Sequence, residues 1–305
     1  MSVAYIFPGQ GSQYVGMGKD LFENSNTARV IFKRADEVLG FSLGKICFEG
    51  PEAELKQTKN TQPAIFLHSY AVLSLLGKRE AAMAAGHSLG EYTAFVCAGA
   101  LSFEDALRLV RLRGELMQRA GEESPGTMAA VIGMTPEVLT AVCAEASTAG
   151  IVQCANFNSP GQIVISGSVA GVTKAMELAK AHGAKMVKQL VVSGAFHSPL
   201  MQSAREGLRN ALAGVKISGA EIPVYANTSA TAVRTPEEIR RSLEEQLTAP
   251  VQWEKSIAAM ARDGAKTFIE IGPGKVLQGL VKRIESGVET RGFDTYADIG
   301  KLVTA

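Results

Sequence analysis

The chain has little cysteine, histidine or tryptophan (four, four and one among 305 residues) and almost no net charge. Cys47, Cys97, Cys143 and Cys154 lie far apart and form no C-x-x-C pair, which argues against a disulfide framework or a zinc site. They read as reduced, buried thiols. Lys plus Arg is 31 against 30 for Asp plus Glu, so no basic excess points to nucleic acid. No apolar run reaches the ~18 residues of a membrane span. The first residues lack a basic segment and meet Pro8 after a short apolar stretch, so a strand is expected there and not a signal peptide. The expected compartment is the cytoplasm. Gly9-x-Gly11, Gly16-x-Gly18 and Gly272-Pro273-Gly274 each lack the third glycine of a dinucleotide fingerprint, and neither a Walker lysine nor H-E-x-x-H occurs. Nicotinamide, ATP and metal chemistry are therefore not expected, and no cofactor is implied.

The composition, 46% hydrophobic and 20% charged, is that of an ordinary globular protein. At ~150 residues per domain the length suggests about two domains, or one α/β body carrying an insertion. Short apolar runs at residues 3–7, 81–85, 222–226 and 266–271 alternate with long helical patterns, including 62–76, 89–98 and 103–120. That alternation predicts a parallel sheet covered on both faces. The middle of the chain differs. Strand patterns at 127–132, 151–155, 162–166 and 185–192 enclose helices at 136–146 and 169–182. The order β-α-β-β-α-β is that of a ferredoxin-like unit. Turn-rich Ser124-Pro125-Gly126 and Ser193-Gly194 bound it. The expected organisation is a large α/β unit made of 1–123 and 195–305, with a small ferredoxin-like unit, 124–194, inserted in it. Beyond Glu285 the polar sequence predicts an edge or tail.

Gly86-His87-Ser88-Leu89-Gly90 fits G-x-S-x-G between a strand and a helix, the context in which a tight turn exposes a nucleophilic serine. The N–H of Leu89, at the helix start, is placed to stabilise an oxyanion. Such a serine needs a base, and each histidine is a candidate. His87 adjoins Ser88 and should point elsewhere. His68 lies within a helix and reads as core; His182 ends a helix before Gly183 and reads as solvated. His197 follows the strand expected to end at Val192 and precedes the cap pair Ser198-Pro199. It is the expected base. Arg113 sits in the apolar face formed by Ala106, Leu109, Val110, Leu116 and Met117, whereas Arg108, Arg111 and Arg119 lie on the opposite, solvated side. A guanidinium in that stripe requires an anion: an internal carboxylate or a substrate carboxylate, with nothing in the spacing to choose between them.

Four blocks carry a resemblance: Phe7-Pro8-Gly9-Gln10-Gly11-Ser12-Gln13, Gly86-His87-Ser88-Leu89-Gly90-Glu91, Gly194-Ala195-Phe196-His197-Ser198-Pro199-Leu200-Met201 and Glu270-Ile271-Gly272-Pro273-Gly274. In this order, and spanning nearly the whole chain, they resemble the malonyl-CoA:acyl carrier protein transacylase family. The resemblance implies an α/β-hydrolase-like large subdomain with a parallel sheet and a ferredoxin-like small one. It implies transfer of malonyl from malonyl-CoA to the phosphopantetheine thiol of acyl carrier protein, in fatty-acid or polyketide synthesis. Ser88 would be the nucleophile, His197 the base and Arg113 the holder of the malonyl carboxylate. The N–H of Gln10 would join that of Leu89 in the oxyanion hole. The family has no triad acid; in Glu245-Gln246-Leu247-x-x-Pro250-Val251-Gln252-Trp253 the backbone carbonyl of Gln246 would orient the histidine. Phe196 would restrict bulkier acyl groups, and Met117 is expected beside it at the substrate.

The partners implied are malonyl-CoA and acyl carrier protein; a monomer is expected, and Lys185, Lys188, Lys275, Lys282 and Arg283 are, by their charge, candidate contacts for an acidic carrier. Two rival readings remain: a serine thioesterase or hydrolase, which would need an acid beside His197, and a non-catalytic module that binds carrier protein.

Overall fold

The computed structural model describes residues 2–77 and 81–300. Positions 1, 78–80 and 301–305 of the expected large unit, and the end of the expected tail, lie outside the described residues. The strands are β1 (Ser2–Phe7), β2 (Ala81–Gly86), β3 (Gly126–Ile132), β4 (Val152–Ser159), β5 (Gln162–Ser168), β6 (Met186–Gln189), β7 (Val224–Tyr225), β8 (Ala232–Val233), β9 (Ala265–Ile271) and β10 (Glu289–Phe293). They form two sheets, ordered β10-β9-β1-β2-β7-β8 and β4-β5-β3-β6.

The first sheet is parallel from β10 to β7, and only the β7–β8 hairpin runs antiparallel. Its central strand β1 is apolar from Val3 onward and buried from Ala4 to Phe7, because it is covered on both faces. Tyr5 and Phe7 join one hydrophobic cluster, while Ala4 and Ile6 join another. The second sheet is antiparallel, and all four of its strands fall within 124–194. Their order, second-third-first-fourth, is that of a ferredoxin-like unit. Ala129, Val131, Ile163 and Ile165 face the helices Pro136–Ala146 and Val169–Ala181 in a core of their own. Met128 and Val164, of opposite pleat, join the core of the larger layer instead. The second sheet is tied to the larger unit where Phe157 N–H donates to Val251 O (2.9 Å) and Val251 N–H to Ala155 O (2.8 Å), an isolated bridge beside β4.

Two elements and one side chain differ from expectation in ways that bear on the site. The strand expected over 185–192 stops at Gln189. Leu190 N–H makes a last bond to Met128 O, and the chain then turns into the helix Phe103–Glu123. There Gly121 packs so closely that a Cβ would strike Ser193 O. The helix expected to open at Gln62 begins at Thr58 and carries Pro63 inside it. Proline offers no N–H to Lys59 O, and Arg111 Nη1 supplies that donor at 2.9 Å. Arg111 is consequently not one of the solvated charges. It also bonds Asn60 Oδ1 (2.8 Å), and its guanidinium lies 4.8 Å from the Phe41 ring centre. No described helix is long and apolar enough to cross a membrane.

Candidate active site

The carboxyl ends of β1, β2, β7 and β9 converge, as sites on parallel sheets do. From β1 the chain passes through Gly9 and Gln10; from β2 it passes directly into Gly86-His87-Ser88. Ser88 has φ +50°, a conformation that only a tight turn with small neighbours permits. A Cβ on Gly86 would collide with the Gly90 backbone, and one on Gly90 with Phe7 O. Gly90→Ala should therefore displace the turn, at about 1–3 kcal/mol or more of stability. Thermal unfolding checks this; an unchanged midpoint with full Ser88 reactivity would contradict it.

The Ser88 hydroxyl lies 2.8 Å from His197 Nε2. His197, itself at φ +56° and 3% exposed, places Nδ1 2.8 Å from the backbone oxygen of Gln246. A carbonyl oxygen can only accept, so Nδ1 carries the proton and Nε2 is free to take one from Ser88. Burial, and then the charge of Arg113, lower the His197 pKa to about 3. The depressed value keeps the His197 ring neutral, the state that can accept a proton, well below pH 6.5. Its ring NMR shifts should hold constant from pH 7 to pH 5; a midpoint near 6.5 would contradict this environment.

Arg113, 1% exposed, is the third member. Its Nη2 donates to Ser88 Oγ (3.0 Å) and to Gln246 Oε1 (2.8 Å), and Nη1 donates to Gln62 Oε1 (2.7 Å). Nε has no acceptor. Among the described residues no carboxylate forms an ion pair with it. Glu91, fully buried, is the internal carboxylate, but it meets Arg113 through the Gln246 side chain, whose Nε2 donates to Glu91 Oε2. Burial pushes the Glu91 carboxyl up to about 7, against the opposing pull of its donors and of Arg113.

A cavity of about 230 Å³ opens on Ser88, His197 and Arg113. Gln10, Leu89, Met117 and Phe196 line it. Neither the Gln10 nor the Leu89 N–H donates to another described residue. Met117 is buried, and its sulfur accepts from Gln62 Nε2 at 3.3 Å. The remaining histidines stand apart from the nucleophile. His87 lines the cavity but points its Nε2 at Asn158 Oδ1 (2.8 Å), against Trp253. His68 is buried on the backbone oxygen of Asp294 (3.0 Å), and His182 is half exposed at the end of its helix. Among the described residues, no group of three or more His, Cys, Asp or Glu is arranged to hold a metal ion.

Sequence reasoning overlooked Gln62, Glu91, Asn158 and Asn227. Only Glu91 gave a signal, as the sole charge in the short helix Gly90–Cys97.

Residues 4–302 match the acyl transferase domain family. The chain belongs to that family. Within this acyl transferase family, the malonyl CoA-acyl carrier protein transacylase of Bacillus subtilis (strain 168) is 48% identical over 291 residues, 94% of this chain and 92% of that one. A crystal structure of an acyl carrier protein S-malonyltransferase from Vibrio cholerae superposes with a TM-score of 0.95 at 41% identity, covering 99% of this chain and 100% of that one. A malonyl-transacylase in complex with its type II PKS acyl-carrier protein superposes at 0.96 with 39% identity, covering 100% and 99%.

Proposed function

We propose that this acyl transferase moves the malonyl group of malonyl-CoA to the phosphopantetheine thiol of an acyl carrier protein, through an ester on Ser88. The observation that carries the reading is a buried guanidinium 3.0 Å from the Ser88 hydroxyl whose Nε has no acceptor. His197 Nε2 takes the hydroxyl proton as Ser88 Oγ attacks the thioester carbonyl. The Gln10 and Leu89 N–H groups receive the negative charge that develops on oxygen. The tetrahedral adduct collapses, the C–S bond breaks, and coenzyme A leaves with the proton from His197. The carrier thiol then gives its proton to His197 and attacks the acyl-serine; the adduct collapses in the same oxyanion hole, the Ser88 Oγ–C bond breaks, and His197 returns the proton to Ser88 Oγ. Arg113 exchanges its amide acceptors for the malonyl carboxylate, a stronger, charge-assisted partner. Met117 and Phe196 close the acyl end of the cavity, and the Gln246 carbonyl holds the imidazole. A backbone carbonyl in that place, with no carboxylate in ion-pair contact with His197 among the described residues, supports transfer over hydrolysis.

The test follows acyl-enzyme turnover with and without holo acyl carrier protein. The malonyl adduct should persist in buffer and discharge onto the carrier. Rapid multiple-turnover release of malonate without carrier would make the chain a hydrolase. No adduct from any acyl-CoA would leave the non-catalytic module.

A further inference from the structure

Glu91 and Asn227 are both fully buried, and neither lines the cavity, yet between them they hold the pieces that do the chemistry. Asn227 bridges the nucleophile turn: its Nδ2 donates to Gly86 O (2.6 Å), and its Oδ1 accepts from Ser88 N (2.7 Å). These two bonds span His87 and fix the backbone on either side, where Ser88 has positive φ. Asn227 is itself held, since its backbone N–H donates to Glu91 Oε1 at 3.3 Å. The other carboxylate oxygen, Oε2, accepts from the side-chain amide of Gln246, which also donates to Ser88 O at 3.0 Å. That amide contact fixes the residue whose carbonyl orients His197.

We propose that Glu91 and Asn227 form one positioning unit, in which Asn227 locks the Ser88 turn and Glu91 acts on His197 through Gln246. The inference rests on the acyl-serine reading above. A hydrolase triad places its carboxylate directly on the histidine. Here the carboxylate stands one residue back and spreads its two oxygens between the nucleophile side and the base side. A carboxylate suits this position because both oxygens accept. An amide would offer one acceptor and turn an N–H₂ group toward a donor. The competing reading is that Glu91 only balances the charge of Arg113. Removing Glu91 would then affect recognition of the malonyl carboxylate and leave the reactivity of Ser88 toward a neutral reagent unchanged.

The experiment compares Glu91→Gln, Asn227→Ala and the near-isosteric Asn227→Asp with the wild-type chain. Two quantities are read: the rate constant for Ser88 phosphonylation by a neutral alkyl fluorophosphonate, and kcat and KM for malonyl transfer. The positioning unit predicts at least about a tenfold slower phosphonylation and a matching fall in kcat, with KM changed less than about threefold. Glu91→Gln keeps the side-chain volume, so it carries the test if either Asn227 variant does not fold. Wild-type phosphonylation rates in folded Glu91→Gln, or a change confined to KM, would overturn the proposal. A wild-type chain that reacts with neither fluorophosphonate nor malonyl-CoA would instead defeat the acyl-serine reading itself.

Discussion

Ser88→Ala should fold as the wild type does and gain no mass from malonyl-CoA. Serine and alanine differ by one oxygen, and the hydroxyl's two contacts, from Arg113 Nη2 and to His197 Nε2, are the ones the proposed reaction uses. The turn survives because its geometry comes from Gly86, Gly90 and the bonds of Asn227 to the backbone. With no oxygen to acylate, the expected loss is complete, not partial. Intact-mass spectrometry after incubation with malonyl-CoA reads it directly. An adduct of undiminished yield would move the nucleophile elsewhere. His197→Ala should slow acylation strongly, whereas His68→Ala and His182→Ala should leave that step alone or act through stability. The distances agree with this division, since of the four histidines only His197 touches Ser88 Oγ.

Arg113→Ala carries the second large effect, and its diagnostic is a ratio. The guanidinium touches Ser88 Oγ and two glutamine oxygens, so its removal costs every substrate something and leaves Glu91 without a compensating charge. Those losses are common to malonyl-CoA and acetyl-CoA and cancel in the quotient of their kcat/KM values. What remains is the bond to the malonyl carboxylate. Hydrogen bonds to charged groups contribute roughly 1.5–3 kcal/mol each, so the malonyl-to-acetyl ratio should fall by at least about tenfold. Equal losses for both substrates, together with a lower unfolding midpoint, would make Arg113 a structural residue.

The features legible in the sequence were those that local rules dictate. Ser88 and Leu89 follow from glycines that a strand-turn-helix junction demands, and Arg113 stood out as a charge in an apolar stripe that the structure buries. The ferredoxin-like order was readable because turn or cap residues close its first three strands, at Gly133, Pro160-Gly161 and Ser168. The positioning contacts were not readable, because they join residues remote in the chain. Asn227 meets Ser88 across 139 positions, and Gln246 meets Glu91 across 155. No periodicity marks them; Asn227 lies in a turn just beyond the two-residue strand β7. The expected strand over 185–192 ran past its true end for a related reason. The ladder ends with the Leu190 N–H bond; the side chains of Leu190 and Val192 line the cavity, and Val191 between them is fully exposed. Alternating apolar residues lining a pocket look like a strand when only the sequence is read.

Where the acyl group is held decides between Ser88 and every other nucleophile. Brief incubation of the wild-type chain with malonyl-CoA, acid quenching and tandem mass spectrometry of the digest would locate it. The malonyl mass should lie on Ser88, in the segment Gly86-His87-Ser88-Leu89-Gly90, and vanish when holo acyl carrier protein is added before the quench. Malonyl on any other residue, or a Ser88 ester that the carrier thiol does not discharge, would contradict the proposed transfer.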